Sequence, residues 1–93
     1  MSDKIIVFTL NGCEHCQSLK EELNNLSIPF TEIEVNANPS IWNQVVKQTN
    51  NEYLPTVFIQ KEGSNVGPVY IPEKDFETQD QIVEIIKEHY EGS

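Results

Sequence analysis

Apolar and polar positions alternate along this chain in two different periods, and the switches between them mark its elements. Ile5, Ile6, Val7 and Phe8 form a short run of β-branched and aromatic residues, the signature of a buried strand. Immediately afterwards Cys16, Leu19, Leu23 and Leu26 recur at helical intervals, with Lys20, Glu21, Glu22 and Asn24 left for water. Continuing in the same way predicts strands over 4–10, 30–35, 56–60 and 66–71, with helices between and after them. Asn38 and Pro39 are suited to the cap and first position of a second helix ending near Thr49. Thr78 and Gln81 have the spacing of a capping box ahead of Ile82, Val83, Ile85, Ile86 and Tyr90, an amphipathic last helix. Residues 62–65, Glu-Gly-Ser-Asn, supply turn chemistry for a hairpin.

The order is therefore β-α-β-α-β-β-α. A strand joined to the next through a helix runs parallel to it, and the hairpin adds antiparallel strands, which gives an α/β fold with a four-stranded mixed sheet flanked by helices. At 93 residues there is room for one domain, spanning 1–93, and for one modest core.

Charge narrows the function. Fifteen acids oppose six basic residues, all lysines, for a net charge of −9, and no lysine stripe could neutralise phosphates. Nucleic acid is not an expected partner. The apolar N-terminal run is too short to span a bilayer and lacks the features of a signal peptide, so the expectation is a protein of the cytoplasm without membrane attachment.

The two cysteines lie three apart, in "CEHC", where strand gives way to helix. In a reducing compartment such a pair points to redox chemistry or metal. Unpaired N–H groups and the helix dipole favour a thiolate at Cys13, and Cys16, one turn on, can reach a mixed disulfide formed there. Cys13 is thus the expected nucleophile and Cys16 the resolving thiol. Zinc needs four ligands, and beyond the two cysteines only His15 and His89 remain, so no metal site is expected. His89, near the end of the last helix, suits the dipole there as a cation, and Trp42 is expected to pack.

The strand "KIIVFTL" leading to "CEHC", the segment "SIPFTEIEVNANP" and the later "LPTVFI" together resemble the glutaredoxins of the thioredoxin superfamily over nearly the whole chain. The resemblance implies a thioredoxin-like fold and a thiol–disulfide oxidoreductase. It acts on protein disulfides or glutathione mixed disulfides, with no bound prosthetic group and glutathione as co-substrate. It also implies a cis bond before Pro55 that turns the Leu54 backbone toward the cysteines to meet substrate, and contacts from Thr78 and Asp80 to the γ-glutamyl end of glutathione. A trans proline at the start of an edge strand is the other reading of Pro55.

His15 stands where many family members have tyrosine. Its imidazolium would favour the thiolate at Cys13, with Glu14 acting the other way; alternatively it is an exposed polar residue of the first turn. The family's cations before the first cysteine and before the proline are replaced here by Asn11, Gly12 and Glu52, and its Gly-Gly before the last helix by "IPEKDFETQD". Glutathione should therefore bind weakly, which leaves a thioredoxin-reductase-type donor as the alternative source of electrons. A rival role for the same cysteine, also implied by the family, is as a glutathione-assisted iron–sulfur cluster carrier. A monomer is the expectation.

Overall fold

The computed structural model describes residues 4–61, 63 and 67–91. It contains β1 (Lys4–Thr9), α1 (Glu14–Asn25), β2 (Thr31–Glu34), α2 (Pro39–Thr49), β3 (Thr56–Gln60), β4 (Val69–Tyr70) and α3 (Gln79–Glu91), in the order expected. The sheet order is β2-β1-β3-β4. β2 runs parallel to β1, whereas β3 is antiparallel to both β1 and β4. The helix-linked strands β2 and β3 therefore do not obey the parallel rule applied to them from sequence, because they are not neighbours and β3 enters the sheet on the far side of β1.

Alternation along β1 divides the core. Ile5 and Val7 point to a large cluster with Leu19 and Leu23 of α1, Val57 and Ile59 of β3, and Ile82, Val83 and Ile86 of α3. Ile6 and Phe8 point the other way, where Val35 joins them and Trp42 and Val45 of α2 pack on top. Trp42 is a packing residue as expected, its ring centroid 5.5 Å from that of Phe8.

Helix ends follow local chemistry. Ser27 takes a left-handed conformation (φ 58°) after α1. Its N–H bonds Asn24 O at 3.1 Å and that of Ile28 bonds Leu23 O at 3.0 Å, a Schellman closure that returns Ile28 to the core. Asn50 closes α2 at φ 56°, with its N–H on Val46 O. The capping box forms at α3: Thr78 Oγ1 accepts from Gln81 N at 3.3 Å and Gln81 Oε1 accepts from Thr78 N at 3.2 Å.

Two expectations need correction. Asn38 occupies the cap position of α2 but caps nothing with its side chain; Nδ2 instead donates to Glu34 O at 3.0 Å, pinning the loop back to β2. β4 is shorter than 66–71, and most of the turn expected at 62–65 lies outside the described residues. His89 stands in the last turn of α3 as expected, where Nε2 lies 2.9 Å from Tyr70 Oη and Nδ1 3.5 Å from Lys61 Nζ, ties that hold α3 to the sheet edge. Among the described residues no helix is long and apolar enough to cross a membrane.

Candidate active site

The chain reverses out of β1 through Leu10-Asn11-Gly12-Cys13, closed by Cys13 N–H on Leu10 O at 3.0 Å. Gly12 sits third in this turn at φ 89°, a conformation that favours glycine. The turn delivers Cys13 to the cap position of α1 with extended backbone (φ −82°, ψ 112°). Its Sγ accepts from Cys16 N at 3.2 Å, so the sulfur does the work that serine or aspartate does at other helix starts.

The two thiols, both unpaired in this structure, have unlike surroundings. Cys13 is half-buried, whereas Cys16 is 1% exposed. Burial pushes the Cys16 thiol up to about 12, with help from a hydrogen bond to Cys13 and from its charge; a backbone hydrogen bond at Leu10 and the charge of Lys20 pull the other way.

A groove of about 190 Å³ lies between α1, the loop before β3 and the segment leading into α3; His15, between the two cysteines in sequence, lines it, whereas the cysteines themselves do not. The Leu54–Pro55 bond that forms one wall is cis, as the resemblance implied. Leu54, Pro55, Thr78 and His15, all singled out from sequence, line this groove. Asp80 does not; its neighbour Gln79 does, half-buried and drawn toward α1 by its Nε2, which donates to Glu22 Oε1 at 2.8 Å, while Asp80 is exposed. His15 is exposed, and no hydrogen bond joins its ring to Cys13.

Sequence reasoning missed several groove residues. Tyr53 is 54% exposed at the rim. Phe76 forms part of the floor, buried where the segment before α3 doubles back: Pro72 bridges to Phe76, and Asp75 Oδ2 accepts from Ile71 N at 2.8 Å. The signal was a large aromatic in an otherwise polar insertion. Glu52 lines a different cavity, beside Val46 and Asn50; the acids on the groove itself are Glu73 and Glu77.

The cysteines themselves line a second recess, also unforeseen, together with Lys20, Glu32 and Glu34. Thr9, buried at the end of β1, donates through Oγ1 to Glu32 Oε2 at 2.7 Å, and Lys20 Nζ of α1 bonds the same oxygen at 2.8 Å. The lysine and threonine hold the Glu32 carboxyl below the usual carboxylate range. Among the described residues no group of three or more histidine, cysteine or acidic side chains is gathered as a metal centre.

The glutaredoxin family model matches residues 5–63, more than half of the chain, and takes in both cysteines and the cis-proline. The chain belongs to the glutaredoxin family. This glutaredoxin is a thiol–disulfide oxidoreductase. Solved structures similar to it are thioredoxin-like. Mitochondrial thioredoxin 3 of Saccharomyces cerevisiae is 21% identical with a TM-score of 0.64, over 94% of this chain and 78% of its own. The thioredoxin-like protein BC3987 is 20% identical with a TM-score of 0.63, over 89% of this chain and 99% of its own. A thioredoxin of Malassezia sympodialis is 15% identical with a TM-score of 0.63, over 95% and 75%. At these identities the likeness establishes the fold, which is thioredoxin-like. No curated protein matches the chain in sequence.

Proposed function

We propose that this glutaredoxin reduces disulfides of protein substrates, including glutathione mixed disulfides, with Cys13 as nucleophile and Cys16 as resolving thiol. The observation that carries this reading is the asymmetry of the sulfurs: one half-buried at a helix start with an N–H already on it, the other buried one turn behind. Cys13 thiolate attacks one sulfur of the substrate, forming a mixed disulfide and releasing the other sulfur as a thiolate that takes up a proton. Cys16 then loses its proton and attacks Cys13 Sγ; the internal disulfide forms and the second substrate thiol leaves. Two electrons from a thiol donor return the pair to the dithiol.

The groove bounded by Leu54, Pro55 and Thr78 receives the chain around the substrate disulfide, laid along the Leu54 backbone in strand fashion. Glutathione serves as a donor of low affinity. The groove is lined by the acids Glu73 and Glu77 and by no lysine, an unfavourable setting for the two carboxylates of that tripeptide, and this favours a reductase as the second donor. The reaction belongs in a reducing compartment such as the cytoplasm.

Cys13→Ser is expected to abolish disulfide reduction. Cys16→Ser is expected to accumulate a mixed disulfide at Cys13, visible by mass spectrometry, and equal loss of every activity without such an adduct would count against the assignment. Turnover measured with glutathione and glutathione reductase, beside turnover with thioredoxin reductase, separates the donors.

A further inference from the structure

The recess at the cysteines, about 150 Å³, is lined by Gly12, Cys13, Cys16, Lys20, Glu32 and Glu34 among others. Its charged and titratable members come from two elements: the cysteines and Lys20 from α1 and its cap, and the two glutamates from β2. Lys20 follows Cys16 by four residues, so the two side chains share one face of α1. The ammonium does not range freely. Glu32 holds it, and Glu32 is in turn held by the buried hydroxyl of Thr9, the last residue of the strand that leads into the active-site turn. The clasp joins β1, β2 and α1 at the end of the sheet where the cysteines sit.

We propose that Lys20, held by the Thr9–Glu32 clasp, is the positioning residue for the resolving step, its charge favouring the Cys16 thiolate at the moment Cys16 attacks the mixed disulfide. This rests on the assignment of Cys13 and Cys16 made above. In the dithiol, the hydrogen bond and charge of Cys13 help to keep the proton on Cys16. Once Cys13 is tied to substrate, that charge is gone but burial remains, and Lys20 is the side chain whose charge still favours the anion. Of the two carboxylates in the recess, Glu32 is engaged by Lys20 and Thr9, and Glu34 accepts from the Asn36 N–H, so both are turned to other partners. The proton lost by Cys16 ends on the departing substrate thiolate, by way of water, and the step balances with no further reactant.

The test uses the reduced full chain and dithionitrobenzoate, an aryl disulfide that releases one coloured thiolate when Cys13 attacks it and a second when Cys16 displaces the mixed disulfide. Stopped-flow traces over a range of pH give both rates. Lys20→Met and Lys20→Gln are expected to slow the second release at neutral pH by about tenfold, equivalent to raising the Cys16 midpoint by about one unit, while the first release changes less than about twofold. Lys20→Arg should restore the second rate, and Lys87→Met, which removes a surface charge from α3, should leave both unchanged. A second release equal to wild type in Lys20→Met and Lys20→Gln would overturn the proposal. So would equal slowing by Lys20→Arg, which marks a packing role, or by Lys87→Met, which marks net charge alone. Persistence of the first release in Cys13→Ser would instead overturn the assignment of the nucleophile, and this inference with it.

Discussion

On one face of the sheet, α1 and α3 sink Leu19, Leu23, Ile82 and Ile86 between the strands until each is 1% exposed or less; on the other, α2 rests on Ile6 and Phe8 without burying any residue of its own. The helix that carries the cysteines is on the deep side. Its orientation is fixed by close-packed contacts that resist small shifts, and the geometry at Cys13 inherits that rigidity. α2 contributes Trp42 and Val45 as a half-exposed cover and touches neither the groove nor the recess. Deep burial and the helix of the cysteines are thus concentrated on one face, while the other reaches the site through Leu54, which packs with Trp42 and Val45 on the Ile6–Phe8 cluster.

The contrast is broken most directly by truncation on each side. Leu23→Ala, at a fully buried position of α1, is expected to destabilise the reduced protein by roughly 2–5 kcal/mol, because little can collapse into the space. Val45→Ala on α2 should cost about 1 kcal/mol, since the side chain is already half in water. Urea denaturation of the two variants measures the difference, and equal losses would mean that α2 bears as much of the fold as α1.

A second comparison concerns two glycines. A Cβ on Gly67 would lie 1.8 Å from Ile59 O of β3, a collision with backbone that cannot turn aside, whereas a Cβ on Gly12 meets nothing within 4 Å and suffers only its positive φ. Gly67→Ala is expected to lose about 1–3 kcal/mol and to disturb the β3–β4 pairing. Gly12→Ala should lose about 1–2 kcal/mol from the left-handed backbone and slow the reaction of Cys13, whose approach the turn sets. Thermal denaturation, together with the rate of alkylation at Cys13, separates a global effect from a local one.

At neutral pH the smallest effect comes from Cys16 itself. Its folded value, about 12, is above the ordinary 9.0, so between those values the unfolded chain releases this proton while the folded protein keeps it. Stability contributed by the protonated thiol is therefore complete below pH 9 and declines as pH rises toward 12. Cys16→Ala should flatten that part of the stability–pH curve relative to wild type, as read by urea midpoints under reducing conditions; identical slopes would show that other groups account for the decline.

Much of this was present in the order of residues alone. Period-2 and period-3.6 patterns give the elements and their sequence, because burial on a strand or helix face repeats with the backbone's own geometry. The spacing of Cys13 and Cys16 places both sulfurs at one helix start, and "LPTVFI" marks the second wall of the site, because these features are local in the chain. Other features depended on packing. The antiparallel entry of β3, the burial of Phe76 beneath the groove and the choice of Gln79 over Asp80 all follow from where distant segments come to rest. Glu32, unremarkable in the strand "TEIE", meets Thr9 and Lys20 only because the parallel register of β1 and β2 and the tilt of α1 bring them to one point, separated by 23 and 12 residues of chain. Local chemistry makes the two sulfurs unlike; the cation that shares their recess is held there by the tertiary fold, since no periodicity in the sequence records contacts across such distances.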